Sequence, residues 1–269
     1  MTSQDATADM QRLCPACPPY SGLDEHSHAM TPYHFPAHVH YAVLQDAVIF
    51  MDLKSDRYSL LTDEKARLFT ALFVPAPRAL ERALFIDRSA PGRSTRAASS
   101  LVTELLDCKL LAPGTDAAPV TRPNLPPPGD DFLADDTDST HIRLRDIGRF
   151  LTACLFAAWR LRSTTIEATV RAVERRRRAD TPEHPPDRSA LRHLVALFRR
   201  LRPLFPKDAL CLFDSLALLE FLARYGCFPH WVFAVTLNPW SAHCWVQYAD
   251  VALNEDAERA RHYTVILVA

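Results

Sequence analysis

The stretch "PKDALCLFDSLALLEFLARYGCFPHWVFAVTLNPWSAHCWVQYADVALNED" (206–256) changes its hydrophobic period part-way along. Its first half repeats as a helix. Leu212, Leu216, Leu219 and Ala223 form one stripe, widened by Phe213 and Leu222. Asp208 is the natural N-cap, and Gly226 stands just past the end, where a left-handed residue stops a helix. The second half alternates in short runs rich in β-branched and aromatic residues: "HWVFAVTL", "AHCWVQY" and "VALNE", followed by "YTVILVA" at the C-terminus. A helix leading into antiparallel strands predicts an α+β domain.

The same stretch carries a constellation of reactive side chains. With Asp208 as cap, Cys211 falls at the third helical position, where unpaired N–H groups and the positive dipole end favour a thiolate. A Cys in an apolar helix is usually packing material. Here a base and an acid follow it. His243 begins the second strand after the helix, and an antiparallel hairpin brings Glu255 beside it. Asp256 is the neighbouring alternative. Successive strand residues face opposite ways, so only one of the two acids meets the His, and register favours Glu255. The same alternation turns Cys244 away from His243 as a structural residue and puts Trp245 on the His243 side. Cys154 and Cys227 have no such context.

Upstream, residues 142–178 read as helical, with Ile142, Ile147, Phe150, Leu151, Cys154, Leu155, Ala158 and Leu161 near a 3.6 period. They end in a run of four Arg (175–178), which reads as a solvated helix end. Leu191 to Leu204 is a further amphipathic helix. Residues 113–140 carry clustered Pro and Asp and read as a linker, part polyproline-like and part solvated acidic run. Before it, "HVHYAVL", "AVIFMDL" and "RYSLL" predict three strands, with Gln45-Asp46 as a hairpin turn. Helices follow from Thr62 as cap, over 77–86 and over 97–107, and "KLLAP" reads as a short last strand. Residues 1–35 read as a flexible extension. The organisation expected is an extension (1–35), an α+β domain of winged-helix size (36–112), a linker (113–140) and a second α+β domain (141–269).

With 31 basic against 32 acidic residues, the charge balance offers no argument for nucleic acid or an anionic membrane as partner. Seven Cys without regular spacing argue against a disulfide framework and for a reducing, cytoplasmic setting. No signal-peptide pattern opens the chain, and no apolar run approaches the ~18 residues of a membrane span. Cys14 and Cys17, with His26, His28, His34, His38 and His40 after them, have one knuckle-like pair but no second. A zinc site, or any other metal or cofactor, is therefore not expected.

"CLFDSLALLEFLARYG" followed by "NPWSAHCWVQYADVALNED" resembles the C-terminal domain of lasso-peptide maturation B proteins, the microcin J25-type leader peptidases. These are a transglutaminase-like branch of the papain-type cysteine peptidases. "PAHVHYAV" with "VIFMDLKSDRYSLL" looks like the peptide-recognition domain fused to them. The resemblance covers roughly residues 30–269. It implies an α+β chain with an N-terminal winged-helix-like recognition domain and a C-terminal papain/transglutaminase-like cysteine peptidase domain. Cys211 is implied as nucleophile and His243 as base, with an acid at position 255. The usual acid there is Asp, and this chain has Glu255. The implied substrate is a ribosomally made precursor peptide whose leader is removed. The implied partner is an ATP-dependent lasso cyclase of asparagine-synthetase type. The leader would add as a strand at Tyr58 to Leu60, beside the helix carrying Leu101 and Leu105. Trp240, in the loop before the His243 strand, is expected to line the peptide groove. Two rivals remain: an acyl transferase using the same triad, and a catalytically silent precursor-binding scaffold.

Overall fold

A computed structural model of the chain describes residues 11–12, 33–74, 93–114, 125–133, 141–180, 187–206, 208 and 210–269. These fall into two compact units, one within 11–114 and one within 125–269. The expected helix over 77–86, Cys14, Cys17, His26 and His28 lie outside the described residues.

The first unit runs β1 (Gln11–Arg12), β2 (Tyr33–His34), β3 (Val39–Leu44), β4 (Ala47–Asp52), β5 (Arg57–Thr62), α1 (Asp63–Phe73), α2 (Arg93–Asp107) and β6 (Ala112–Pro113). Its four-stranded sheet has the order β1-β5-β4-β3, and β2 pairs with β6 separately. The β3–β4 hairpin turns at Gln45, whose φ of 42° is left-handed, with Leu44 opposite Ala47. Thr62 stands at the N-cap of α1 but makes no side-chain capping bond. The acids Asp63 and Glu64 in its first turn suit the helix dipole.

Phe50 and Phe69 meet edge to face at 5.2 Å in the core of this unit. Leu101 and Leu105 are 2% and 0% exposed in the same core. They hold α2 onto the sheet, with their side chains in the core rather than at the surface. The spacing of Ala98, Leu101, Val102 and Leu105 is the buried stripe of an amphipathic helix, and all four are buried. β5 is flanked by β4 on one side and by β1 on the other. The β1 pairing is parallel, with Gln11 opposite Ser59 and Arg12 opposite Leu60.

The second unit runs β7 (Asp130–Asp131), α3 (Leu144–Ser163), α4 (Ile166–Asp180), α5 (Arg188–Leu201), a single 3-10 turn (Arg202–Leu204), α6 (Cys211–Ala223), β8 (His230–Thr236), β9 (Ser241–Tyr248), β10 (Val251–Ala252), α7 (Ala257–Arg261) and β11 (Thr264–Val268). Its five-stranded sheet has the order β11-β8-β9-β10-β7. α3 and α6 pack on one another, and α6 packs on β9.

Several expectations change here. Part of the supposed linker belongs to this unit. Asp130–Asp131 pairs with β10, Phe132 is 1% exposed, and Gln247 donates to the Pro126 carbonyl at 2.7 Å. Composition hides this, because the contacts that order Pro- and Asp-rich chain come from residues 58 to 133 positions away. The helix read over 142–178 is two helices. The chain is extended at Thr164, and the Thr165 hydroxyl accepts from the Ala168 N–H as α4 begins. Ile142 and Leu155 of the expected apolar face are exposed. The Arg run is not wholly solvated. Arg176 grips the buried Glu220 through both carboxylate oxygens, at 2.9 and 2.8 Å. α6 is no one-sided amphipath, since residues 215–222 are all buried, Ser215 and Glu220 included. Among the described residues, no helix is long and apolar enough to cross a membrane.

Candidate active site

α6 begins at Cys211, with Leu210 as its extended N-cap. Asp208 is therefore not the cap. Cys211 is the first helical residue rather than the third, and its own N–H lies among those with no intrahelical acceptor. What holds the approach to the helix is Arg202. Its Nε donates to Asp214 Oδ1 in the first turn at 2.6 Å. Its other nitrogens donate to the Phe205 carbonyl at 2.9 Å and the Asp208 carbonyl at 3.4 Å. One planar fork thus ties two points of the loop to the first turn of the helix. The sequence carried no signal for this beyond an acid at the fourth helical position.

His243 lies on β9, opposite Ala234 of β8. β10 is only two residues long, so Glu255 stands in the loop after it rather than on a strand. It is Glu255, not Asp256, that hydrogen-bonds His243 Nε2, through Oε2. The other oxygen of Glu255 accepts from the Asp256 N–H at 2.9 Å, and Arg259 lies 3.8 Å from it. Asp256 has a different task. It caps the five-residue α7, its side chain accepting from the Arg259 N–H at 2.7 Å. Burial alone would push the Glu255 carboxyl up. The bond to His243, the Asp256 N–H and the nearby charges outweigh it and hold Glu255 below its ordinary range. A carboxylate 7% exposed and ionised needs such partners.

With Nε2 taken by Glu255, Nδ1 is the ring nitrogen left for Cys211. The Cys211 thiol is drawn far down, to about 4, first by a hydrogen bond from the Cys244 thiol and then by the bond and charge of His243, against the effect of burial. Burial would lower His243 as well. Its bonds to Cys211 and Glu255, with their negative charges, raise it instead, to about 9. The pair rests as thiolate and imidazolium. Trp245 is fully buried with its ring 6.2 Å from that of His243, so it both fills the core and backs the site. Tyr263 lies on His243 at 5.4 Å and meets the Ser241 hydroxyl at 3.3 Å. Trp240 is half-buried in the turn between β8 and β9.

Asn254 joins the parts. Its Oδ1 accepts from the Val246 N–H of β9 at 2.7 Å, and its Nδ2 donates to Ser215 Oγ of α6 at 3.1 Å. Ser215 in turn donates to the Cys244 carbonyl at 3.3 Å. The residue before the acid therefore locks the acid loop, the His strand and the Cys helix together. Cys244 is likewise not turned away from the site. α6 packs on the face to which it points, and its sulfur reaches Ser215 at 4.0 Å.

In the first unit, Tyr58, opposite Met51 of β4, and Leu60, opposite Ile49, are each half-buried on β5. Leu101 and Leu105 are core, as described above. His34 meets the Gly114 carbonyl at 3.3 Å, His38 lies 3.7 Å from Asp52, and burial pushes His40 down to about 4. Among the described residues no three His, Cys, Asp or Glu gather as a metal site.

A thiolate at a helix start, an imidazolium beside it and a carboxylate behind, on a helix packed against an antiparallel sheet, have the arrangement that Cys-His-acid acyl chemistry uses. Residues 151–268 are a domain of the transglutaminase-like superfamily, matching its Transglut_core3 family model. That superfamily is compatible with both cysteine peptidase and acyl-transfer chemistry. No curated protein and no solved structure matches the chain.

Proposed function

We propose that this protein is a cysteine endopeptidase that removes the leader from a ribosomally made precursor peptide in lasso-peptide biosynthesis. The observation that carries the reading is the gathering of Cys211, His243 and Glu255, with Glu255 bonded to the far nitrogen of the imidazole. In this reading the Cys211 thiolate attacks the carbonyl carbon at the leader–core junction and forms a C–S bond. The Cys211 N–H, which has no intrahelical acceptor, stabilises the oxyanion. His243 passes its proton to the core's nitrogen, and the C–N bond breaks. His243 then takes a proton from water, which attacks the thioester. The leader leaves as a carboxylate, and the thiolate–imidazolium pair is restored. Glu255 orients the ring and stabilises its charge throughout.

The first unit is the precursor-recognition module in this reading, winged-helix-like in plan. The leader adds as a strand on β5 at Tyr58 and Leu60, and Trp240 borders the path of the scissile segment. The pairing of β1 on that edge supports it, since an extended segment is accepted there. The freed core passes to the ATP-dependent lasso cyclase, which joins its new N-terminus to a side-chain carboxylate.

The test is incubation of wild type and Cys211→Ala with a candidate precursor, followed by weighing of the products. Leader removal by wild type alone supports the peptidase. Equal removal by both overturns it. Transfer of the leader acyl group to an added amine in preference to water identifies an acyl transferase. Binding of the precursor without cleavage identifies a scaffold.

A further inference from the structure

The Cys211 sulfur has a second neighbour that peptide cleavage does not require: another thiol. Ser215 stands one helical turn beyond Cys211, on the same face of α6. Both the carbonyl and the sulfur of Cys244 meet the Ser215 hydroxyl, at 3.3 and 4.0 Å. This fixes the Cys244 side chain under the start of α6. There its sulfur neighbours that of Cys211, whose thiol it draws down. Cys244 is 3% exposed, whereas Cys211 is half-buried and so within reach of a small solute. One sulfur faces outward and is activated, and the other waits behind it.

We propose that Cys244 is a resolving thiol, and that peroxide converts Cys211 and Cys244 into a reversible disulfide. The Cys211 thiolate attacks one oxygen of hydrogen peroxide. The O–O bond breaks, hydroxide leaves, and Cys211 becomes a sulfenic acid. Cys244 sulfur then attacks the Cys211 sulfur and the S–O bond breaks. The proton from Cys244 goes to the departing hydroxide as water. The two thiols lose two electrons in total, and the peroxide gains them. Burial and then the negative charge of Cys211 hold the Cys244 thiol protonated at rest. A neutral sulfenic acid removes that charge and leaves the effect of burial in place. Closure takes the nucleophile out of action and shields it from irreversible oxidation to sulfinic acid.

This rests on the reading of Cys211 as nucleophile only for its effect on activity. The linkage is measured without activity. Wild type is treated with hydrogen peroxide, remaining thiols are blocked, and the protein is weighed whole and as peptides. The expected result is loss of two hydrogen atoms, a Cys211–Cys244 linked peptide, and full return of both thiols with dithiothreitol. Cys244→Ala should instead gain two or three oxygen atoms at Cys211, which dithiothreitol does not remove. Oxygen gain at Cys211 in wild type, a link from Cys211 to another cysteine, or no change at Cys211 would each overturn the proposal, and wild type alone decides it if the variant does not fold. A disulfide found in a protein that cleaves no precursor would sink the peptidase reading and leave this one standing.

Discussion

At the scale of single residues, the working range of the site follows from two opposed shifts. Cys211 is anionic above its lowered value of about 4, and His243 is cationic below its raised value of about 9. The reactive ion pair is therefore lost to protonation of Cys211 on the acid side and to deprotonation of His243 on the alkaline side. kcat/KM, or the rate of Cys211 alkylation, should form a broad bell between those limits. Glu255→Gln removes a charge and a charged hydrogen bond that hold His243 up. Its alkaline limb should move to lower pH, with kcat down on the order of 10²-fold. An unmoved limb would show that Glu255 does not act through His243. Asp256→Ala is the matching control, because Asp256 bonds Arg259 and not the imidazole. It should cost about 1 kcal/mol in a denaturant melt through loss of a cap and leave the bell in place.

At the scale of elements, what the sequence disclosed divides by the range of the interactions that decide each one. α6, β8, β9 and β11 were legible because apolar period and β-branched, aromatic composition are local properties. The start of α6 lies two residues beyond the expected one, because Arg202 sets it from across a loop and no local cap does. α7 and β7 are too short to show a period. Neither the Ser215–Asn254 bond nor the Cys244 thiol beside Cys211 is legible in a chain where the partners stand 39 and 33 positions apart. Leu101 and Leu105 share with Ala98 and Val102 the spacing of a core stripe, which is a local pattern, and all four are buried. Leu105 is fully buried, so Leu105→Ala should lower stability by about 2–5 kcal/mol. Precursor affinity of the variant, measured where it is still folded, should be unchanged. A selective loss of affinity at full stability would return Leu105 to the peptide site.

At the scale of the whole molecule, the proposed recognition edge and the candidate active site belong to separate compact units. A change confined to the β5 edge should therefore alter precursor binding and leave the reactivity of Cys211 untouched. That edge has an occupant from the chain itself. Gln11 and Arg12 pair in parallel with Ser59 and Leu60, the positions where the leader is proposed to add. Two strands cannot use one row of backbone groups, so the leader must displace this segment. The hydrogen bonds of a pair of residues contribute about 1–2 kcal/mol net. Removal of residues 1–30 should then tighten precursor binding by roughly tenfold, since about 1.4 kcal/mol is a factor of ten. Titration of a labelled precursor measures this, and iodoacetamide alkylation of Cys211 in the same preparation should proceed at the full-length rate. Unchanged affinity would mean that the leader binds elsewhere or leaves β1 in place. A changed alkylation rate would mean that the segment reaches the catalytic unit, and the separation of recognition from chemistry would fail.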